Sequence, residues 1–413
     1  MTVRRTFVVT LAGESSPMFI DKRQLAVGAC GFCAFTNLYP VQALMPELMS
    51  HFNATAAEVG LSLAAGTLAV ALTAPFAGAL SDNLGRKPMI LFSLATVGLV
   101  TMLTILSGSI EALIGWRFLV GFFIPGIFTT TVAYIGEEWS QKEAVETSAI
   151  YIAGTVLGGF AGRFIAGLAT DFGGWQAAFV TLGVMDLLLV PLVWRWLPAS
   201  QNFNPTGGVM VSLRAMAGHM RNPLLLQTFV LSFGILFTLV AVFTYVSLRL
   251  ALPPFSLGTG LIGGVFAVYL LSVVITPLVG RQISRFGRAP IALAGMLISL
   301  AGLMITLGSS LFLVVLGLAL FSIGIFIMQS IATGFVPQAA GFSPSAAVGL
   351  YVMIYYIGGS LGAVVPGPVW QEFGWLGCVV LVAVALLIMT VTSYRLWTRD
   401  PHTQRMMAER RGS

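Results

Sequence analysis

Charge is what this sequence most conspicuously lacks. Asp, Glu, Lys and Arg make up 9% of its 413 residues, where a soluble domain carries roughly 25%. Between Arg288 and Glu372 there is not one of them. A water-soluble fold would have to bury that stretch without a charged face, so a soluble protein is excluded. The apolar residues, 57% of the chain, instead come in unbroken runs of about 20, the length of a helix crossing a bilayer. The alternating segments of about 10 residues that build an outer-membrane barrel are missing. The backbone must then satisfy itself inside helices, and the fold class is an all-α membrane protein.

Cysteine and histidine are nearly as scarce, with three of each. Cys30 and Cys33 form a C-x-x-C, a spacing used by redox enzymes and zinc sites. Here it lies within the first apolar run, with no strand before it and no second pair, and reads as two small soft residues in a packed helix. Cys378 is alone in the last run. His51, His219 and His402 fall in expected loops or tails and form no cluster. No G-x-x-x-x-G-K-[ST] cradles ATP phosphates, and no H-E-x-x-H or strand-borne nucleophile elbow occurs. An enzyme, a metal and a cofactor are all unsupported, and solute movement against a gradient would draw on an ion gradient. The N-terminal stretch Met1–Arg23 has an apolar patch only from Phe7 to Leu11, too short for a signal peptide.

Twelve spans are read: Leu25–Leu48, Ala57–Leu80, Met89–Leu106, Ala112–Tyr134, Thr147–Leu168, Trp175–Trp196, Leu224–Ser247, Leu257–Val279, Ile291–Leu307, Leu311–Val336, Ala346–Pro366 and Trp375–Leu396. The polar connection 197–223 divides them into a six-helix bundle over 24–196 and another over 224–397. Residues 1–23 and 398–413 are tails. Of the 21 Lys and Arg, all but Arg117, Arg163 and Arg249 fall on one side of this arrangement. The positive-inside rule therefore places both termini and the connection in the cytoplasm. The net charge of +6 reflects that bias and does not point to nucleic acid.

What the chain does have is a repeated turn. Gly78-Ala-Leu-Ser-Asp82-Asn-Leu-Gly85-Arg86-Lys87-Pro88 joins the second and third spans. Its echo, Gly280-Arg-Gln-Ile-Ser284-Arg285-Phe-Gly287-Arg288-Ala-Pro290, follows 202 positions later. Tyr151, Gly158, Gly159, Gly162, Gly167, Gly174 and Trp175 recur 200 positions on as Tyr351, Gly358, Gly359, Gly362, Gly367, Gly374 and Trp375, and Gly121 finds a counterpart in Gly324. Six spans per half means that both halves share one orientation, a parallel duplication.

Twelve helices as 6+6, with G-x-L-x-D-x-x-G-R-K-P after the second, resemble the major facilitator superfamily from about Gln24 to Trp397. Arg117-Phe-Leu-Val-Gly121 is similar to the second motif of its drug/proton antiporter branch. Gly154-x-x-x-Gly158-Gly159-x-x-Gly162-Arg163 is similar to the antiporter motif of the fifth span but has Gly159 in place of its proline, a departure that places the chain near the YnfM-like, arabinose-efflux-like transporters. The resemblance implies alternating access: two bundles rock about a midplane cavity to carry a small organic solute. Proton-coupled efflux is the first mechanism, and a symporter or facilitator importing a metabolite is the alternative. A transporter-like sensor would need a further domain or a catalytic cluster. The implied partners are the solute, protons and the lipid bilayer, with a monomer as the working unit.

Candidate functional residues follow. By the resemblance, Asp82 sits against the N-terminus of the eleventh span near Ser343–Ala346, a contact made only while the cytoplasmic side is closed; a solvated turn is the alternative. Gly78 and Gly85 suit close backbone approach, and Pro88 suits a first helical turn. The echo replaces the acid with Ser284 and adds Arg281 and Arg285. Opposite, by pseudo-symmetry, lie Glu137, Glu138, Glu143 and Glu146, so ion pairs between the halves are expected. Ionisable residues inside the membrane carry a functional presumption: Arg117, in the cavity or bonded to backbone carbonyls; Arg163 and Asp186, as an ion pair or with Asp186 as an unpaired proton carrier. Asn37, Tyr39, Gln42, Phe233, Tyr245, Gln329 and Tyr355 are candidate cavity residues, each weighed against plain packing, with Glu47 near the far mouth.

Overall fold

The computed structural model describes residues 21–201 and 209–398, preceded by Val8–Val9 and Met18–Phe19, which pair as a two-residue antiparallel bridge. Arg4, Arg5, His402, the four arginines beyond Thr398 and residues 202–208 lie outside the described residues. The helices are α1 (Lys22–Thr36), α2 (Val41–Phe52), α3 (Ala56–Leu84), α4 (Arg86–Leu103), α5 (Ile110–Glu138), α6 (Gln141–Trp196), α7 (Val209–His219), α8 (Pro223–Ala251), α9 (Thr259–Val265), α10 (Leu271–Phe286), α11 (Arg288–Ile305), α12 (Leu311–Ala339), α13 (Pro344–Val364) and α14 (Pro366–Trp397). Local chemistry starts them. Asp21 with Gln24, Thr55 with Glu58 and Ser140 with Glu143 each form a reciprocal capping box. Asn222 caps α8 ahead of Pro223.

These elements make twelve passes, though not as twelve clean helices. The first span was expected to be continuous; it breaks between α1 and α2 at Asn37–Pro40. Pro40 has no N–H to donate and crowds the preceding turn, so the ladder opens there. The fifth and sixth spans run together as α6, turned at Gly173 and at Gly174, whose φ is 71°. Gly374, φ 57°, marks the equivalent turn in α14. The eighth span is irregular, with a 3₁₀ stretch Phe266–Leu270 between α9 and α10. The connection between the halves holds α7, whose His219 is buried, stacks on Phe342 at 4.3 Å and contacts the Ser343 carbonyl at 3.2 Å. His51 likewise sits in the last turn of α2, edge-on to Phe52 and Trp175. Both histidines were expected in loops; both sit in helix ends instead, His219 buried and His51 exposed.

Without a hydrophobic drive between helices in lipid, close crossings rely on small residues. A Cβ at Gly158 or Gly162 would collide with the carbonyls of Phe32 or Thr36 on α1. In the second half, Gly358 and Gly362 abut Phe233 and Phe237 of α8 in the same way. The repeated tyrosines keep the symmetry too: Gly31 lies against the Tyr151 carbonyl, and Ser232 donates to the Tyr351 carbonyl at 2.8 Å. Gly121 and Gly324 do not match in this sense, since Gly121 meets Gly66 of α3 whereas Gly324 meets Gly295 of α11.

The two halves touch through a second set of paired contacts. Gly60 of α3 packs on Ala363 of α13, and Gly263 of α9 packs on the Arg163 backbone of α6. Gly367 meets Ala57, and Gly167 meets Thr259. Thr67 and Ser360 share a hydrogen bond of 2.8 Å, and Gln42 donates to Thr244 at 2.9 Å. These contacts run from the middle of the molecule to the end remote from the repeated turns. That end is closed.

Candidate functional site

At the repeated turns, Gly85 and Gly287 adopt φ of 87° and 81°, a region costly to residues with a Cβ. Each amide closes onto the residue four back, Ser81 and Ile283, at 2.9 and 2.8 Å. Arg86 is the hub of the first turn. It is 2% exposed, salt-bridges Asp82 at 2.7 Å and grips Glu137 of α5 with two bonds of 3.0 and 2.6 Å, while bonding Ser81 and the Gly78 carbonyl. Lys87 donates to the Trp194 carbonyl at 2.8 Å. In the echo, Arg288 reaches Gln338 and lies over Phe335, Arg285 lies over Phe286, and Ser284 bonds the Arg281 carbonyl.

Two expectations change here. Glu137 was expected to face the arginines of the other half; it is turned to Arg86, because α4 and α5 are neighbours and a bidentate Arg–carboxylate fork fits between them. Glu143 closes the capping box of its own helix, and Glu138 accepts from the Gln201 amide at 2.7 Å. Gly78 was expected to permit close approach, yet a Cβ on Gly78 or on Gly280 would meet nothing within 4 Å.

A buried polar cluster forms where the first span breaks. Opening the ladder at Pro40 frees the carbonyls of Asn37 and Leu38, which must find partners in a medium without water. Arg117 of α5 supplies them, its Nη2 donating to both, at 3.1 Å for Leu38, with its guanidinium near Phe179. The Asn37 side chain is held on three sides. Its Nδ2 donates to the Cys33 carbonyl at 3.1 Å and to the Asp186 carboxylate, and its Oδ1 accepts from Thr101 of α4 at 3.0 Å. Asn37, Arg117 and Asp186 are all fully buried. Gly98 makes room for Asp186, whose Cβ lies 3.1 Å from where the glycine's own would be.

Arg163 and Asp186 were offered as an ion pair. They do not form one. Arg163 turns away from Asp186 to the first span and the eighth. Its Nε donates to Gln42 at 2.8 Å and its Nη1 to the Gly159 carbonyl. The guanidinium lies over Tyr39, Phe266 and Tyr269 at 4.6, 4.7 and 5.0 Å. For Arg117, the structure realises the backbone-carbonyl alternative. Tyr245 bonds the Ala363 carbonyl at 2.9 Å, beside the Gly60 crossing. Phe233 stacks on Phe237, Tyr355 stacks on Tyr351 and meets Tyr356 edge-on, and Gln329 is half-buried on α12.

Several working residues escaped the sequence reading. Thr101, Thr244, Phe266 and Tyr269 carry no charge, and nothing in their surroundings marks them. Thr244 had one signal, since it follows Gln42 by the same 202 positions as the repeated turns. Pro40, central in an apolar run, was the available sign of the break. Asp171 was missed as well. It accepts from Thr259 Oγ1 at 2.6 Å and the Gly260 amide at 2.9 Å, beside a small cleft that includes Glu47, so an acid of the first half caps the start of the eighth span. Asp171→Asn is expected to loosen this end. Labelling of a single Leu257→Cys by an impermeant maleimide should rise several-fold over the native background, and unchanged labelling would remove Asp171 from the closure.

With the geometry in place, comparison with known proteins is direct. Residues 27–363 match the family described as Major Facilitator Superfamily. The chain is similar to the inner membrane transport protein YnfM of Escherichia coli (strain K12), 33% identical over 390 residues, covering 94% of this chain and 93% of that protein. It is 31% identical to the uncharacterized MFS-type transporter YybF of Bacillus subtilis (strain 168), covering 92% and 94%. Among solved structures, the nucleoside transporter NupG superposes with a TM-score of 0.74 at 14% identity, over 90% of this chain and 99% of that one. A bacterial homolog of the human lysosomal transporter Spinster, inward-facing and unoccupied, gives 0.72 at 15% identity, over 92% and 98%. At these identities the structures speak for the fold.

Proposed function

This chain belongs to the Major Facilitator Superfamily, a family of transporters and not of enzymes, and from that premise we propose that it moves its solute by exchange with protons. As a member, it is a multi-pass inner-membrane transporter of small solutes. The two halves, 24–196 and 224–397, act as rocking bundles with both termini in the cytoplasm, and the direction is efflux. One copy of the chain is the working unit.

The observation that carries the coupling is Asp186. It is fully buried, and among the described residues its carboxylate meets Asn37, with no lysine or arginine as an ion-pair partner. An ionised carboxylate without a cation is costly at that depth. A carboxyl that gains and loses a proton as access alternates meets that cost only transiently. Asn37 links this acid to the break in the first span, and Gln42, five residues on, reaches Thr244 of the other half. A proton on Asp186 thus acts on a segment that touches both halves. The paired contacts between Gly60 and Ala363 and between Gly263 and Arg163 close one end. In the opposite state the Gly78 and Gly280 turns approach the other half, which is where their missing Cβ atoms are needed.

A symport reading draws on Gly159, which stands where the antiporter motif has proline. One experiment separates the two. Purified protein in liposomes, under an imposed pH gradient, is screened against small organic solutes while internal pH is followed. Antiport predicts that a solute loaded inside leaves as protons enter, and that empty vesicles show neither flux. Solute and protons moving together would favour symport. Solute movement with no proton movement would end the coupling proposal.

A further inference from the structure

We infer that the transported solute carries an anionic group, a carboxylate on an aromatic body, and that Arg163 receives it. This rests on the transporter reading, with the solute passing between the two halves, but not on proton coupling. Arg163 is 3% exposed, and among the described residues no carboxylate pairs with it. Its Nε is taken by Gln42 and its Nη1 by the Gly159 carbonyl, while Nη2 makes no hydrogen bond with the described residues. A buried guanidinium with its whole Nη2 amino group to spare is an expensive feature unless something fills it.

Packing does not call for this arginine. The crossing that places Gly263 against the Arg163 backbone is repeated in the other half by Gly60 against Ala363. There an alanine serves. The same fold position thus tolerates a methyl group, and the charge in the first half has another purpose.

Its surroundings indicate what kind of ligand fits. Tyr39 belongs to the first half, while Phe266 and Tyr269 belong to the second, and all three rings lie within 5.0 Å of the guanidinium carbon. The rings attract the cation without accepting its N–H hydrogen bonds in the guanidinium plane, leaving Nη2 for an oxygen acceptor, a role that suits a carboxylate. An aromatic body attached to that carboxylate can lie among the same rings and those of Tyr355 and Tyr356. The other interior cation, Arg117, bonds the Asn37 and Leu38 carbonyls through Nη2 and leaves Nε and Nη1 unbonded, but it is fully buried and both carbonyls belong to the first half, so an anion there would not bridge the two halves. A cationic solute has no comparable partner among the described residues, since the interior acid Asp186 is fully buried and its bonding partner Asn37 belongs to the first half. Because the cage draws on both halves, an anion seated on Arg163 bears directly on whether the second-half rings stay or leave.

The test uses the full-length protein in detergent and in liposomes without a pH gradient. The probes are benzoate and 2-naphthoate, each with its amide and its aminomethyl analogue. Saturable tryptophan-fluorescence and thermal-shift responses are expected for the carboxylates and not for the amides or amines. Arg163→Ala should weaken carboxylate binding by about tenfold to a hundredfold, the scale of one charge-assisted hydrogen bond. Arg163→Lys should retain part of it. Arg163→Gln, which keeps volume and polarity, replaces the alanine variant if that one does not fold. Carboxylates binding no better than their amides, or binding equally well to the Arg163→Ala or Arg163→Gln protein, would overturn the inference. Carboxylate binding without coupled proton flux would overturn the proton proposal alone. Under the imposed pH gradient of the coupling experiment, proton-driven flux of amines only would overturn this one alone.

Discussion

Asp186→Asn is expected to abolish proton-driven solute accumulation, reducing it at least about tenfold, to the level of empty vesicles, while exchange of solute without a pH gradient persists. Asparagine is nearly isosteric and can still bond Asn37, so the space beside Gly98 stays filled and the fold should hold. What it cannot do is change charge. The cost of a buried carboxylate in the membrane, about 2.5–3.5 kcal/mol on insertion scales, is then never imposed and never relieved, and the cycle loses the step that a proton drives. Transport rate measured against pH should flatten in the variant. An unchanged pH dependence, with accumulation intact, would remove Asp186 from the coupling mechanism. Asn37→Ala is the companion measurement. It removes the amide that bonds the carboxyl and should shift the pH dependence rather than flatten it.

Gly162→Ala is expected to have the largest effect on the fold itself. The added Cβ would collide with the Thr36 carbonyl, at the last turn of α1 before the first span breaks. A backbone carbonyl cannot swing aside as a side-chain tip can, so α1 and α6 must separate. Overpacking of this kind costs about 1–3 kcal/mol, occasionally more, and here it also strains the turn that presents Asn37 to Asp186. A fall in thermal stability and in yield of monodisperse protein should follow, and Gly362→Ala, against Phe237 in the second half, should behave alike. Gly78→Ala provides the contrast. With nothing within 4 Å of its Cβ, it should leave stability near the native value and slow transport instead, because the crowding arises only in the state closed at the repeated turns. If Gly162→Ala and Gly78→Ala were equally stable, the close α1–α6 crossing would be refuted.

The contrast between these glycines separates what spacing along the chain specifies from what packing adds. The recurrence of Gly85 as Gly287 and of Gly174 as Gly374 was visible as spacing, and all four adopt positive φ. The recurrence of Gly158 and Gly162 as Gly358 and Gly362 likewise became one helix crossing made twice. Gly121 and Gly324 were just as visible as a pair but met different partners. A repeat in sequence fixes what a backbone position can tolerate, not which neighbour it is given.

The same division holds for the charges. That Arg117, Arg163 and Asp186 lie inside the bilayer followed from hydropathy alone, as did the helical class, the twelve passes and the duplicated turn. Each of these depends on the chain's local transfer energy or on a backbone dihedral, properties that residues carry with them. Which cation meets which acceptor was decided only in three dimensions. Each residue turns a helix by about 100°, and an arginine side chain can reach more than one neighbouring helix. Arg163 and Asp186 could therefore be placed at compatible depths and still face different partners. Pro40 settled the matter by opening the first span, which drew Arg117 to the freed carbonyls and Asn37 to Asp186, while Gln42 and the aromatic rings took Arg163. Hydropathy along the chain puts three charges in the membrane. The packing of helices around one broken turn decided what each of them holds.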